Sequence, residues 1–594
     1  MSVLPLLRTS NRIFLSTCAA TLLALAAVPA AALPPIGSAD VAIADPDVPP
    51  PPTTPCVVPL YEAFTFIGFD NQPFAYAPPS ACPGPWGKVV LSLDFDVTAG
   101  RQFDRTGRIW LNGANIYFGT TQEPRATVAP TWHIERDLSD YSALFANAGG
   151  GYVELGNVVD GTYTGIIHGS ARLAFYPRTS GLDRPPRPDR VLPLAAGPDG
   201  GIVDLVGDAR LAVTLNLPTN IERAYLDVIA QSQGDDEFWY LCVPDALAGE
   251  LQSCPGSGFR ESQVFIDGVA AGVAPVYPWL YTGAIDPGLW RPTPSIQTLA
   301  FEPYRVDLTP FTGSLSDGRP HTVSIGVFNA QNRFSTTANL LLYLDRGSAH
   351  TRGAVTANTL SFPPTPAVDV VDDSNADAIV KTVGVTSTRA FRIAGYVDTS
   401  HGRVVTTLDQ RIAFSNVQDF DIATDGSDYR QALVQRTTVD ATATIQQGHR
   451  PARFQRAHSE WPLAIEYRYD GAADGSATQT TTIDQGLDRA LEVGLAGHAL
   501  FRATREQRMQ TADTLQLDAD GNLLGRVGQG STQSYAYRSS LGACYDRRIT
   551  TQDGVLSAVA DGRGCPGRRN HLTWLDAFAQ VASSFWGASL RQLP

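Results

Sequence analysis

The sequence predicts a mainly β protein, with two consecutive antiparallel β-sandwiches followed by a third β-rich region. Short runs of alternating apolar and polar residues fill the first 350 residues, each bounded by Gly, Pro, Asn, Asp or Ser, as expected of strands with one buried face. The same residues lack the long helical patterns that a parallel sheet requires. The length of 594 residues exceeds what one core holds and favours two or three packed units.

The individual strands follow from the alternation. In the first block the clearest strands are residues 88–95, 108–111 and 171–176, and in the second block 224–229, 263–268 and 340–344. Asn112-Gly113 directly follows one of these runs and predicts a two-residue hairpin turn, because both residues tolerate positive φ. Proline-rich residues 184–188 separate the two blocks.

The predicted organisation has five parts. These are a signal peptide at 1–32, a proline-rich linker at 33–55, a first sandwich at 56–183, a second at 190–348 and a β-rich domain at 351–594. Residues 389–397 still alternate like a strand. Residues 486–501 and 572–590 show near-helical spacing, so each is expected to form a surface helix packed on a sheet.

The first 32 residues have the three parts of a secretory signal. Arg8 and Arg12 supply the positive charge, residues 13–28 are apolar, and Ala30-Ala31-Ala32 offers a cleavage site. The mature protein is therefore expected to be secreted or periplasmic, where disulfides persist. Grouping along the chain predicts the disulfide pairs Cys56 with Cys82, Cys242 with Cys254, and Cys544 with Cys565.

Composition and motifs exclude several classes of function. The hydrophobic fraction of 43% and charged fraction of 18% are those of a globular protein. The net charge of −14 argues against a nucleic-acid partner, which needs a basic surface. The sequence has no nucleophile elbow, phosphate loop or zinc-ligand spacing, so neither a metal nor a cofactor is predicted. Residues 518–522 favour a polar hairpin turn over a calcium loop.

An ordered set of segments carries a family resemblance. The segments are residues 100–105, 109–113, 121–125, 132–139, 155–158 and 163–165 in the first block, and 236–240, 258–261, 281–285 and 307–311 in the second. Together they resemble the acid peptide N-glycanases of the plant A type. The resemblance implies hydrolysis of the amide that joins an N-glycan to asparagine. The more distant bacterial F-type amidases consist of two adjacent jelly rolls, which agrees with the two predicted sandwiches.

The resemblance also indicates the central carboxylate. The F-type enzymes carry their essential aspartate in an aromatic-Asp-Arg tripeptide, which matches Phe103-Asp104-Arg105, so Asp104 is the first candidate. A second carboxylate is expected from the second sandwich, and both Glu237 and Glu261 remain open for it. Aromatic neighbours favour a protonated Glu237. The alternatives are an Asp-Arg ion pair at Asp104 and a solvated pair at Glu261.

Further residues are candidates for substrate contact. They are Arg105, Arg125, Asn157, Asp236, Trp239, Arg260 and Trp290. The tryptophans offer faces for a pyranose ring, although core packing is an equal alternative. The arginines are suited to acetamido or hydroxyl groups, or otherwise to salt bridges, with Arg105 on the strand face opposite Asp104. By the same resemblance, Asn157 stands where the F-type enzymes place a further glutamate, and it is expected to hydrogen-bond the amide or the first sugar.

The predicted function is an exported, metal-independent N-glycan amidase that needs no cofactor. Its expected substrates are N-glycopeptides and unfolded N-glycoproteins, and it is expected to act as a monomer tolerant of acidic pH. The resemblance suggests tolerance of α1,3 core fucose. Two alternatives remain: a non-catalytic glycan-binding sandwich, and a glycosidase that cleaves between core sugars with two carboxylates.

Overall fold

The computed structural model describes residues 33–178, 186–195, 197 and 199–574, and these form a mainly β, antiparallel architecture, as the sequence predicts. The predicted signal peptide lies outside the described residues, as does the predicted helix 572–590 beyond residue 574. Among the described helices, none is long and apolar enough to cross a membrane.

The first block consists of two four-stranded antiparallel sheets packed face to face. Its strands are β1 (Cys56–Phe66), β2 (Gln72–Tyr76), β3 (Trp86–Val97), β4 (Thr106–Leu111), β5 (Ala114–Thr120), β6 (Thr131–Asp137), β7 (Gly149–Leu155) and β8 (Ile167–Pro177). One sheet has the order β1-β8-β3-β6 and the other β2-β7-β4-β5. Asn112 and Gly113 both have positive φ and form the turn between β4 and β5, which confirms the predicted hairpin. Apolar side chains from both sheets share one core.

The second block repeats this arrangement with a five-stranded and a four-stranded sheet. Its strands are β9 (Arg190–Leu194), β10 (Val203–Leu205), β11 (Arg210–Asn216), β12 (Ile221–Gln233), β13 (Glu261–Ile266), β14 (Val269–Pro275), β15 (Tyr304–Asp307), β16 (Pro320–Phe328) and β17 (Arg333–Leu344). The orders are β10-β17-β12-β15, with β9 also on β17, and β11-β16-β13-β14. Short α-helices occupy α1 (Asp245–Ala248) and α2 (Thr312–Leu315).

Single-turn 3-10 helices lie mostly in the loops of these two blocks, and they help to shape the loops that carry the site. Those in the described residues are Ser139–Tyr141, Leu144–Ala146, Gly234–Asp236, Trp239–Leu241, Pro287–Trp290, Thr309–Phe311 and Pro566–Arg568.

The third region forms one large antiparallel sheet of 11 strands. Its strands are β18 (Arg352–Asn358), β19 (Ala367–Asp372), β20 (Ala378–Thr399), β21 (Gly402–Ala423), β22 (Asp428–Gln447), β23 (Arg453–Gly471), β24 (Ala477–Leu495), β25 (His498–Leu517), β26 (Leu523–Ser539), β27 (Cys544–Gln552) and β28 (Val555–Asp561). Its apolar face packs on the second block in a shared core that includes Phe391, Ile412 and Leu463. Within the described part of this region, two strands and the turn between them occupy residues 486–501, for which the sequence analysis predicted a helix.

The helix predicted over residues 486–501 is wrong. These residues form the end of β24, a turn at Ala496-Gly497 with positive φ, and the start of β25. Leu487 and Leu491 are both buried and four residues apart, a spacing that fits one helix face and one strand face equally well. Antiparallel pairing with β23 and β25 decides between them, because it provides backbone hydrogen-bond partners along most of the segment.

Three disulfides and the contacts of residues 33–55 link separate parts of the described chain. The structure joins the three cysteine pairs that the sequence grouping predicts. Residues 33–55, predicted as a linker, contain no helix or strand before β1 but lie against the fold. Ala44 is buried and donates its N–H to Gln533 Oε1 of β26, and Lys88 Nζ donates to the carbonyl of Pro49.

Candidate active site

Asp104 lies where the first block meets a loop of the second. It is not on a strand: the chain is irregular from Arg101 to Arg105, and β4 begins at Thr106. The carboxylate oxygen Oδ2 accepts the backbone N–H of Gly283 at 3.1 Å. Burial raises the pKa of Asp104, while the Gly283 N–H and the Arg105 charge oppose that rise. Both opposing contacts stabilise the ionised form, which is the form that activates water.

Glu123 is a second carboxylate at this place, and sequence reasoning did not select it. Its Oε2 accepts a hydrogen bond from Arg291 Nη2 at 2.8 Å, whereas its buried Oε1 has no hydrogen-bond partner among the described residues. A Cβ added to Gly283 would lie 2.7 Å from Asp104 Oδ1 and 2.8 Å from Glu123 Oε1. A side chain at position 283 would displace one or both carboxylates, and the two oxygens therefore lie beside one another at this glycine.

Glu237 is the third carboxylate. It directly follows the 3-10 helix Gly234–Asp236 at the end of β12. Burial and, to a smaller extent, the charge of Asp104 together raise the pKa of Glu237 to about 7. In the described part of the chain, no cation lowers the pKa of Glu237. The charge of Glu237 in turn raises the pKa values of Tyr240 and Tyr281. Glu237 is therefore the carboxyl of the three with the least stabilisation of its ionised form.

The three carboxyls form one electrostatic group. Burial raises the pKa of Glu123 to about 7 in spite of Arg291, and the Asp104 charge adds to that shift. Because the ionisation of Asp104 disfavours that of Glu123 and of Glu237, a neutral or acidic medium leaves the group partly protonated. A group with one ionised and one protonated carboxyl can remove a proton from water and supply a proton to a leaving group.

Glu261, the alternative second carboxylate, lies elsewhere. It begins β13, is 2% exposed, and pairs with Arg389 of β20 at 3.1 Å. Burial raises the pKa of Glu261 to about 7 although Arg389 lowers it. The charge of Asp104 raises the pKa of Glu237 but does not contribute to the pKa shift of Glu261. The pair joins the second block to the large sheet.

Asp236 and Arg260 are enclosed and bind each other. Arg260 Nε and Nη2 donate to Asp236 Oδ1 at 3.1 and 2.9 Å, and both side chains are inaccessible to solvent. The backbone N–H groups of Gln331, Asn332 and Arg333 donate to the same carboxylate. With their hydrogen-bonding capacity used inside the fold, the two residues brace the loop that carries Glu237 and do not face a substrate.

The other polar candidates also bond to protein groups. Arg105 Nη2 donates to Gln102 Oε1 at 2.6 Å, and Arg105 precedes β4 with Asp104 instead of lying on an opposite strand face. Arg125 Nη2 donates to the carbonyl of Gly554 in the β27–β28 turn at 2.7 Å. Asn157 is fully buried, and its Nδ2 donates to the carbonyls of Phe66 and Gly165. Of these residues, Arg105 alone interacts with Asp104.

The predicted aromatic platforms are interior. Trp239 is 1% exposed and packs on Phe414, and Trp290 is 0% exposed with its Nε1 bonded to the Ala284 carbonyl, so a sugar ring cannot stack on either in this conformation. Phe103, next to Asp104, is instead 46% exposed and lies against Tyr163 with ring centroids 5.2 Å apart. This exposed aromatic pair beside the carboxylates was missed, although Phe103 belongs to the tripeptide that identified Asp104.

A cavity of about 700 Å³ lies apart from the three carboxylates. Several of its acidic side chains are paired with arginines. Glu302 pairs with Arg489 and Arg505, and Asp227 pairs with Arg305. These ion pairs hold a junction together and occupy Glu302 and Asp227, whereas Glu123 keeps one buried carboxylate oxygen without a partner among the described residues. The group of Asp104, Glu123 and Glu237 is therefore the better candidate for chemistry.

Comparison with known proteins points to one family. The family model described as peptide N-acetyl-beta-D-glucosaminyl asparaginase amidase A matches residues 54–361. Peptide-N4-(N-acetyl-beta-glucosaminyl)asparagine amidase A of Prunus dulcis is 29% identical over 560 residues, which cover 90% of this chain and 94% of that protein. Coverage of 90% requires that this similarity continue past residue 361 into the large sheet. The family match includes all three clustered carboxylates.

Solved structures of lower similarity were also found. PNGase F, a glycosylasparaginase from Flavobacterium meningosepticum, aligns with a TM-score of 0.32 and 13% identity over 49% of this chain and 96% of that chain. PNGF-II aligns with a TM-score of 0.33 and 13% identity, over 49% of this chain and 66% of that chain.

Proposed function

The chain belongs to the peptide N-acetyl-beta-D-glucosaminyl asparaginase amidase A family, and on that premise we propose that it is an N-glycan amidase. It hydrolyses the amide between an N-linked glycan and asparagine in glycopeptides and unfolded glycoproteins. The products are aspartate and a glycosylamine, which decomposes to free glycan and ammonia. The observation that carries the proposal is the group of three carboxyls within the family match, in which Glu123 and Glu237 each interact electrostatically with Asp104.

The proposed mechanism divides the proton transfers between Asp104 and Glu237. The Asp104 carboxylate, whose ionised form the Gly283 N–H stabilises against the effect of burial, takes a proton from a water molecule as its oxygen attacks the amide carbon. Glu237, whose protonated form is favoured by burial, gives its proton to the departing nitrogen. The C–N bond breaks, a C–O bond forms, and one water molecule is consumed.

Glu123 is the proposed orienting group. Arg291 fixes one of its oxygens, and the other oxygen has no partner among the described residues and lies beside Gly283. That oxygen is suited to accept a hydrogen bond from the attacking water or from the substrate amide N–H. Orientation of this kind contributes to rate because it fixes the reacting atoms before the chemical step.

We also propose that the protein is exported and works in a mildly acidic medium. Disulfides form and persist in oxidising compartments, and three are present in the described chain. The sequence of residues 1–32 has the pattern of a secretory signal. Below neutral pH, Glu237 carries the proton that the leaving nitrogen needs.

The function is tested with an N-glycopeptide and mass spectrometry of the peptide product. An amidase leaves a peptide one mass unit heavier than the unmodified asparagine peptide, because asparagine becomes aspartate. A peptide that keeps one sugar would identify a glycosidase, and an intact glycopeptide that still binds would identify a glycan-binding protein. Either of these two results contradicts the proposal.

Stability is expected to be greater at pH 5 than at pH 7.5. The pKa values of Glu123, Glu237 and Glu261 are raised to about 7, against about 4.5 when the chain is unfolded. Between these values the folded protein holds protons that the unfolded chain has released, so the free energy of unfolding falls as pH rises through this window. Denaturant unfolding should show a loss of about 3 kcal/mol or more across it.

A pair of variants checks the cause of this pH dependence. Glu261→Gln removes one of the three titrating groups and should make the fall in unfolding free energy shallower. Glu466→Gln, on the large sheet and paired with Arg430 at the surface, should leave the slope of unfolding free energy against pH unchanged. A wild-type protein more stable at pH 7.5 than at pH 5 would refute the protonation of these buried carboxyls.

A further inference from the structure

One loop of the second block supplies contacts to two carboxylates of the site. This loop, residues 278–296, connects β14 to β15 and contains Gly283 and Arg291. Gly283 donates its N–H to Asp104, and Arg291 donates to Glu123. The geometry of the carboxylates therefore depends on where this loop is held.

An ion-pair network from the large sheet holds the middle of the loop. Arg526 of β26 binds Asp286 through both of its terminal nitrogens, at 2.8 and 2.9 Å, and also contacts Asp513 of β25. The Asp286 side chain is 3% exposed and that of Asp513 is fully enclosed. Asp286 also accepts the Gly288 N–H that starts the 3-10 helix Pro287–Trp290. The planar guanidinium thus fixes both the position and the orientation of Asp286.

Polar side chains of the same sheet bond the loop along its length. Gln485 donates to the Pro278 carbonyl and accepts from Ser295. Thr511 donates to the Leu289 carbonyl, and Gln529 donates to those of Gly288 and Arg291. Gln485 and Gln529 are buried, so these bonds are made away from water and satisfy loop carbonyls that would otherwise be unpaired. The large sheet therefore supports loop 278–296 through side-chain hydrogen bonds along its length.

We propose that Arg526 is a positioning residue for the reaction, acting through Asp286 to hold Gly283 and Arg291 against Asp104 and Glu123. This inference rests on the proposed function. It assigns the large C-terminal sheet a role in the reaction, because the sheet holds the loop that contacts Asp104 and Glu123 in position. Arg526 touches neither the substrate nor the reacting atoms. The similarity to the Prunus dulcis protein, which continues into this sheet, agrees with a chain in which the two parts work together.

Arg526→Gln should lower kcat about 10- to 100-fold and change KM by less than about threefold, because small displacements of aligned groups cost rate more than binding. Loss of the Gly283 N–H should also raise the pKa of Asp104, so the acidic limb of the pH–rate profile should move upward by about half a pH unit or more. Asp286, Asp513 and Arg291 are the charged groups around Arg526 that enter this response. Arg526→Lys keeps the positive charge but loses the planar guanidinium that binds both Asp286 oxygens, so its kcat should lie between those of Arg526→Gln and wild type.

A matched control is Arg430→Gln on the same sheet. Arg430 pairs with Glu466, its side chain is 37% exposed against 30% for Arg526, and it does not contact the loop. Gln529→Glu is a second test of the loop support if Arg526→Gln does not fold. It should lower kcat in the same way, because a carboxylate cannot donate to the Gly288 and Arg291 carbonyls.

Hydrogen exchange at the Gly283 amide gives a readout that needs no activity. The exchange should be faster in Arg526→Gln than in Arg430→Gln. If wild-type protein does not convert glycosylated asparagine to aspartate, the proposed function fails while the exchange result still stands. If wild type is active and Arg526→Gln matches Arg430→Gln in kcat, pH profile and exchange, the positioning role of Arg526 is overturned.

Discussion

Asp104→Asn is expected to lower kcat/KM by about 10²- to 10⁴-fold, the range found when a general base is removed. Asparagine has the size of aspartate, and its carbonyl oxygen still accepts the Gly283 N–H, so the loop should stay in place. What is lost is the negative charge that takes the proton from water. The measurement is release of the aspartate peptide from an N-glycopeptide, followed by mass spectrometry across pH 4 to 8.

The control for this substitution is Asp267→Asn. Asp267 lies in the turn between β13 and β14 with positive φ, a conformation that asparagine tolerates as well as aspartate does. Its activity should stay within about twofold of wild type. Both variants should unfold near the wild-type midpoint in denaturant. An Asp104→Asn protein that is folded and keeps more than a tenth of wild-type activity would remove Asp104 from the role of base.

Much of the β architecture was predictable because its signals are local. Alternation with a period of two identifies strands wherever one face is buried, and Asn112-Gly113 identifies the hairpin between β4 and β5. The segment 486–501 shows the limit of such signals. Its leucines recur at a spacing common to helix and strand, and only pairing with distant strands decides between the two.

The site was less predictable, because its members meet across long stretches of chain. Asp104 could be selected from the tripeptide around it, but the Gly283 that bonds it lies 179 residues away. Glu123 lies in segment 121–125, which carries part of the family resemblance, but nothing local in the sequence indicates that its oxygen approaches the same glycine. Asp236 and Arg260 were candidates for substrate contact, whereas the fold buries them against each other. Burial and long-range contact are properties of the tertiary structure.

Glu237→Gln and Glu261→Gln are expected to behave differently, and the comparison decides between the two glutamates. Glu237→Gln should lower kcat about 10²-fold or more, because glutamine cannot give a proton to the departing nitrogen. The basic limb of the pH–rate profile, set by loss of the Glu237 proton near pH 7, should disappear with it. Rates on a glycopeptide across pH 4 to 9 measure both effects.

Glu261→Gln should instead keep kcat within about threefold of wild type at pH 5. Its carboxyl is bound to Arg389 at the junction with the large sheet and does not interact with Asp104. Its main effect should be on stability, because without the Glu261 carboxyl the free energy of unfolding should fall less steeply between pH 5 and pH 7.5. The opposite pattern, with activity lost in Glu261→Gln and kept in Glu237→Gln, would transfer the acid role to Glu261 and require a site that includes β13 and Arg389.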